Sequence, residues 1–278
     1  MTPLWWNSKR PGLLIPVFFL LGFQAIMAAQ DIWPEASTAA LGGAFVTSAG
    51  YSCAGLNQAG LGAIEQHSIT LQHSRPYLLR ELDESSLSGQ FHMGNGALGM
   101  VFSSRGIKGL RQSSLWFSYG MRLHPAATAG VGFQVWNTSL AEQLFYASGM
   151  GLAVGVRINV REQWMAGTHV HYPVFRSLPA LAYAQQGSRI AAGLSYTFLK
   201  VGTLYAEIHI HAEHGIILLA GLEWTLNQRL CLKAGYADKP FTLSWGMAWI
   251  HPRWSVQFAF QYRMSSGSVP LASLSHAW

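Results

Sequence analysis

The chain has 278 residues, 50% of them hydrophobic and 13% aromatic, but only 11% charged. Soluble domains usually carry about 25% charged residues, so the composition argues against a surface that faces water throughout. The formal net charge of +6 comes from 18 basic and 12 acidic residues. These are scattered without a basic run, which sets nucleic-acid binding aside.

Residues 1–29 read as a secretory signal peptide. Lys9 and Arg10 supply a positive head, Gly12 to Ala28 is almost wholly apolar, and Ala28 and Ala29 offer small residues for cleavage near Gln30. An uncleaved anchor is the plain alternative. No cysteine stands at the cleavage region, so a lipoprotein is not expected. Further on, no uninterrupted apolar run of about 20 residues occurs, and spanning helices are not expected. Only helices and closed barrels satisfy every backbone hydrogen bond in lipid, which leaves the barrel.

Residues 30–64 are rich in small side chains, with Ala39 to Val46 and Gly55 to Gly62 as the two clearest runs. Glycine and alanine permit close backbone approach. This suits a short helical plug packed within or under a barrel, with a flexible leader as the alternative.

From 65 to 278 the chain settles into alternation of period two, as a strand between lipid and lumen requires. Leu115, Phe117, Tyr119, Met121 and Leu123 alternate with Ser114, Trp116, Ser118, Gly120 and Arg122. The same pattern recurs at residues 152–159, 190–198 and 241–249. It is clearest at Trp254, Val256, Phe258, Phe260 and Tyr262, set against Ser255, Gln257, Ala259, Gln261 and Arg263. Helical spacing is missing from these segments. His124-Pro125, Asn227-Gln228, Lys239-Pro240 and His251-Pro252 break the runs where hairpins should reverse. Counting stripes gives roughly 14 strands, of the length a tilted strand needs to cross a bilayer. Ser139 to Tyr146 and Pro173 to Gly187 are the candidates for longer connections, and the tail from Ser265 reads as either a closing strand or a loose end. A soluble β-sandwich or barrel would place charge on its outer stripe. Here the opposite stripe is Gly, Ser and Ala with Gln and Arg, which suits a lumen.

One inward set is rich in titratable groups. His169 and His171 share a face of one strand, Glu207, His209, His211 and Glu213 share a face of another, and Glu223 lies inward on the next. Imidazole and carboxylate together suit Zn²⁺, Ni²⁺ or Cu²⁺, but the spacing matches no tight ligand motif. The plain reading is a polar lining whose members satisfy one another, with Arg122, Arg157 and Arg263 as partners for Glu207 and Glu223, and no metal or cofactor is assigned. A plug folded into the lumen could bring Cys53 to Cys231, so a disulfide is considered beside two separate thiols. No nucleophile motif such as G-x-S-x-G occurs, and an enzyme is not expected.

The run Leu41-Gly42-Gly43-Ala44-Phe45, followed by Asn57-Gln58-Ala59-Gly60-Leu61, resembles the N-terminal signature of the FadL-like barrel superfamily. It is closest to the PorV/PorQ branch associated with type IX secretion. In that pattern a Gly-Gly-Ala-Phe stretch precedes Asn-Pro-Ala-Gly-Leu, and a 14-stranded barrel follows; here Gln58 stands for the proline, which predicts a less rigid turn. The resemblance implies an all-β antiparallel transmembrane barrel in the outer membrane, with Gly42, Gly43, Ala44, Phe45, Asn57, Ala59, Gly60 and Leu61 as plug residues. It further implies a PorV/PorQ-like component of protein export with outer-membrane or secretion-system partners. The alternative is a FadL-like channel for hydrophobic small molecules.

Overall fold

The computed structural model describes residues 35–48, 53–107, 110–140, 145–177, 187–212 and 215–278. The expected signal peptide and Glu213 lie outside these residues. The described residues form fourteen strands. The first seven are β1 (Ser68–Ser74), β2 (Glu84–Met93), β3 (Gly96–Ile107), β4 (Leu110–His124), β5 (Ala127–Leu140), β6 (Phe145–Arg161) and β7 (Trp164–Ser177). The rest are β8 (Arg189–Phe198), β9 (Gly202–His211), β10 (Gly215–Thr225), β11 (Leu230–Ala237), β12 (Thr242–Ile250), β13 (Trp254–Arg263) and β14 (Gly267–Ala277). Each strand pairs antiparallel with its sequence neighbour, and β1 closes the barrel on β14 from Ser68↔Ala277 to Ser74↔Leu271. The tail from Ser265 is thus the closing strand. Closure leaves no strand edge to template aggregation.

The alternation is inside-out. On β13, Ser255, Gln257, Ala259 and Gln261 are buried, whereas Phe258 is 52% and Tyr262 46% exposed. The same holds around the wall, with Leu152, Leu243 and Ile208 outward and Gln134, Ser118 and His209 inward. Aromatic side chains gather towards the two rims. At one end Trp164 packs on Tyr196 at 4.6 Å, Phe198 on Trp224 at 5.6 Å and Trp254 on His276 at 4.1 Å between ring centroids. Tyr172, Tyr236, Phe241 and Tyr262 are exposed towards the other.

The two ends differ in their connections. Tight turns at Gly94–Asn95, Pro125–Ala126 and Glu162–Gln163 close one end. The other carries the segment from Arg75 to Asp83 and the reversals after β11 and β13. Ser139 and Pro173, expected in loops, instead belong to β5 and β7. Pro173 sits where the β6–β7 register shifts, and β8 pairs with β7 only as far as His171. A proline there removes no bond that a partner strand needs.

Residues 35–48 and 53–67 include the segment that fills the barrel interior. Only α1 (Ala36–Ala40) is α-helical; Cys53–Gly55 and Gln58–Ala63 are 3₁₀ turns. α1 packs on β11 to β14, and the second 3₁₀ turn packs on β3 to β6. Its fit depends on wall glycines. A Cβ at Gly130 would lie 2.3 Å from the carbonyl carbon of Gln58. Gly42 is constrained twice, by a φ of +75° and by the Tyr236 backbone 2.6 Å from where its Cβ would stand.

Gly130→Val is expected to unseat the 58–63 turn at a cost on the order of 1–3 kcal/mol. Urea unfolding in detergent measures that loss. An unchanged midpoint would show that the turn does not rest on this wall.

Candidate functional site

The register brings the predicted lumen residues into two rows across β7, β8 and β9. One row reads His169–Ala191–His209 and the next His171–Arg189–His211. His169, His171, Glu207, His209 and His211 are all buried, and the inner segment covers them. Glu207 is the centre of this patch. Its Oε2 accepts the Phe45 amide at 3.1 Å and its Oε1 accepts the Val46 amide at 2.7 Å. His209 Nε2 lies 2.9 Å from the same carboxylate. A buried carboxylate is costly unless it is paired and hydrogen-bonded, and here backbone amides do much of that work.

The Phe45 ring is held in turn by the histidines. It meets His169 edge-on at 5.4 Å and His209 at 5.1 Å between centroids, and Arg189 Cζ stands 5.0 Å from its ring centre. His171 Nε2 reaches Gln134 Oε1 at 3.1 Å, and its ring lies against Trp116. Arg189, absent from the predicted lumen residues, stands two positions before Ala191 on the same inward stripe of β8, where the alternation of that strand signals it.

Glu223 is apart from the histidines. It pairs with Lys233 at 3.1 Å, and Lys233 also donates to Ser37 Oγ. The expected arginine partners differ as well. Arg157 donates to the Thr47 carbonyl at 3.0 Å, Arg263 to the Tyr77 hydroxyl at 3.3 Å, and Arg122 lies 3.7 Å from Glu65. The carboxylates that arginine would have met are already occupied by amides or by lysine. Among the described residues, no group of three or more His, Cys, Asp or Glu is placed to hold a metal ion.

The motif residues act as a frame for the inner segment. Asn57 Oδ1 accepts the Ala59 amide at 3.1 Å, while its Nδ2 donates to the Val46 carbonyl at 2.7 Å and the Thr168 carbonyl at 3.4 Å. Asn57 therefore caps its own turn and ties it to Val46 and the wall. Ala44, Ala59 and Leu61 are fully buried, and Gly60 packs against Cys53. The less rigid turn expected at Gln58 is offset by the side chain itself, whose Nε2 donates to the Leu56 carbonyl at 3.2 Å and the Ala54 carbonyl at 3.4 Å.

Cys53 and Cys231 form no disulfide with each other. Cys53 packs in an apolar cluster with Ala54, Leu61, Val101 and Trp116, on the β3–β4 side. Cys231 stands on β11, seven strands from β4 in a ring of fourteen. The inner segment enters the lumen, as a disulfide would require, but carries Cys53 to the opposite wall.

Above the inner segment, at the end with the longer connections, lies a cavity of about 460 Å³. Phe45, Leu56 and Gly43 line its floor, and Tyr77, Leu82, Leu219 and Leu271 line its apolar side. Arg105, Arg189, Lys239 and Arg263 also line it, against the single carboxylate of Glu84. Glu84 is bound to Arg105 at 2.6 Å, so the remaining charge of the lining is positive.

No protein-family profile matches the chain, and no curated protein sequence does either. Solved structures match it in fold. The P. putida toluene transporter TodX superposes with a TM-score of 0.66 at 12% identity, covering 88% of this chain and 98% of that one. The CymD monoaromatic hydrocarbon channel gives 0.64 at 13% identity, covering 86% and 96%. The Ralstonia pickettii toluene transporter TbuX gives 0.59 at 12% identity, covering 88% and 97%. The closed fourteen-strand fold of the described residues is thus one shared with these channel barrels. The narrower PorV/PorQ expectation gains no support from these neighbours.

At the rim of the cavity Arg75 Nε and Nη2 donate to the Asp83 carboxylate at 2.6 and 2.7 Å. That bond holds the Asp83 carboxyl below its usual range and raises Arg75. A carboxyl with a lowered pKa stabilises the fold above its unfolded value near pH 4 and loses that contribution as pH falls through the lowered one. Hydrogen exchange across residues 75–83, corrected for the intrinsic rate, is expected to rise on acidification below about pH 4. Asp83→Asn should show the fast exchange already at neutral pH, and equal protection in both proteins would exclude the clasp.

Proposed function

We propose that the chain is an outer-membrane channel for small, largely apolar molecules, a conduit rather than an enzyme. The observation that carries this reading is the inside-out barrel with a cavity at one mouth and an inner segment beneath it. An apolar outer wall between aromatic rims fits a bilayer. On β4 the outward apolar run from Leu115 to Leu123 gives way to Ser113 and Arg111 above it. Nine residues at about 3.3 Å each, tilted as barrel strands are, rise on the order of 21–24 Å. The short turns then face the periplasm and the cavity faces outward.

Of the two functions the resemblance implies, passage of small molecules accounts for the cavity. The neighbours named for toluene and monoaromatic hydrocarbons favour it too. The export role rests on the N-terminal motif alone. The cationic lining adds a preference absent from a purely hydrocarbon route. A partly enclosed site with surplus positive charge concentrates anions, so the favoured solute has a compact apolar body and an anionic group.

Uptake of radiolabelled benzoate and toluene, by cells with and without the chain in the outer membrane, tests both parts. Uptake of both solutes above the empty-cell level is expected. The double variant Lys239→Gln, Arg263→Gln should lower benzoate uptake about tenfold, equivalent to about 1.4 kcal/mol, and leave toluene unchanged. No uptake of either solute by the unaltered chain would sink the channel reading. An equal loss of both in the variant would sink only the anion preference.

A further inference from the structure

The rim at the end with the tight turns is not uniform around the barrel. Between β4 and β7 its basic side chains have acidic company. Arg122 lies 3.7 Å from Glu65, and Glu162 follows Arg161 in the turn after β6. From β8 to β14 the balance changes. The turns there present Lys200, Arg229 and Arg253, all exposed, and no acidic side chain. Glu207 and Glu223 of this half are engaged inside the lumen, and Asp238 stands at the opposite end of β11.

Between β11 and β14 this rim is tied into one surface. The β12–β13 hairpin closes with the His251 amide donating to the Trp254 carbonyl at 2.7 Å. The Ile250 amide donates to the Arg229 carbonyl at 2.7 Å, which sets Arg229 beside the same hairpin. On its other side His276 Nδ1 donates to the Arg253 carbonyl at 3.0 Å. A carbonyl can only accept, so this bond holds the imidazole in one orientation. Rings fill the surface between the two arginines and beyond. Trp249 stacks on His251 at 6.0 Å, Trp254 lies 4.1 Å from His276, and Trp278 stacks on His276 at 5.7 Å between centroids. Neither Arg229 nor Arg253 is matched by a carboxylate among the described residues.

We propose that this surface binds the headgroup of an anionic phospholipid, with its phosphate against Arg229 and Arg253. The site rests on the outer-membrane orientation given above, which sets these turns at the periplasmic leaflet. Two features single out a lipid. The first is charge. A guanidinium pairs with a phosphate through short, charge-assisted bonds, and basic clusters at a membrane surface attract anionic headgroups. The second is continuity with the apolar wall. Trp249, Trp254 and Trp278 are 44%, 44% and 50% exposed, and Met247, Phe258 and Leu274 carry the apolar face on into the span. Indole suits that boundary, because its ring is apolar while its N–H donates to a phosphate or glycerol oxygen. A free phosphate would use the two arginines and leave the rings and the wall beneath them idle.

Lipid exchange in mixed micelles tests the site on the full chain. The chain is equilibrated with equal amounts of phosphatidylglycerol and phosphatidylcholine of matched acyl chains, and the lipid kept after washing is counted by mass spectrometry. A preference for phosphatidylglycerol of about tenfold is expected at low salt. It should fall to near parity in about 1 M salt, where charges are screened over about 3 Å. Arg229→Gln with Arg253→Gln should reduce the low-salt preference to about twofold, and Arg161→Gln, beside Glu162, should leave it unchanged. Equal retention of the two lipids by the unaltered chain would overturn the proposal. So would a preference that both salt and the double variant leave intact, or an equal loss in Arg161→Gln. Reconstitution into vesicles separates the site from the reading it rests on. A chain that inserts but shows no lipid preference loses the site alone. A chain that inserts into vesicles of neither lipid loses the outer-membrane reading and the site with it.

Discussion

Closing a fourteen-strand sheet on itself removes every edge, but it creates an interior that must accept backbone. A strand wall satisfies its own amides and carbonyls, so it has none to spare for a chain threaded inside. Most of the inner segment is neither helix nor strand, and its buried amides and carbonyls need partners from side chains. Glu207, Asn57, Arg157, Gln261 and Gln72 supply them, at Phe45 and Val46, Val46, Thr47, Ala39 and Ala36 respectively. The inward stripe is polar for that reason at these positions. It is glycine at others, where the segment's backbone comes closer than a Cβ would allow.

Much of the barrel was legible because one physical period governs both faces. Trp254 to Arg263 reads as a strand from its alternation alone, and the turn residues at His124-Pro125 and His251-Pro252 fall where hairpins reverse. The inward side of each strand could be assigned as well, and with strands in sequence order the histidines of β7 and β9 fall on two rows with one strand between. What periodicity could not supply was the third partner. A polar stripe in a sequence looks the same whether it faces water, a metal or another stretch of the same chain. Glu207 and His209 were therefore grouped with their neighbours on the wall, whereas the amides that complete their environment lie about 160 residues earlier, at Phe45 and Val46. The sequence leaves the Cys53–Cys231 pairing open for the same reason. The sequence indicates that Cys53 enters the lumen, but the wall it meets depends on where the inner segment seats, and that is decided by glycine contacts.

Two positions that depart from pattern are informed by their surroundings. Gln58 stands where the resembling motif has proline, and its amide takes over the stiffening that a ring would give, by bonding to Ala54 and Leu56. It fits because Gly120, Gly130 and Gly132 face it. Pro173 lies inside a strand, which is tolerated because β8 pairs with β7 only as far as His171. In both cases the local exception is absorbed by a neighbour that had no side chain or no bond to lose.

The electrostatics of the lumen fall into two layers with opposite roles. In the lower layer the Glu207 charge is spent on two amides and His209, so little of it projects towards the mouth. In the upper layer Glu84 is matched by Arg105, and Lys239 and Arg263 add positive charge to the cavity lining. Phe45 sits at the boundary, tied by its backbone to the lower layer and by its ring to Arg189. Phe45 is thus held from two sides, its backbone by the Glu207 carboxylate and its ring by His169, His209 and Arg189, so that a single residue joins the buried contacts of the inner segment to the lining of the cavity.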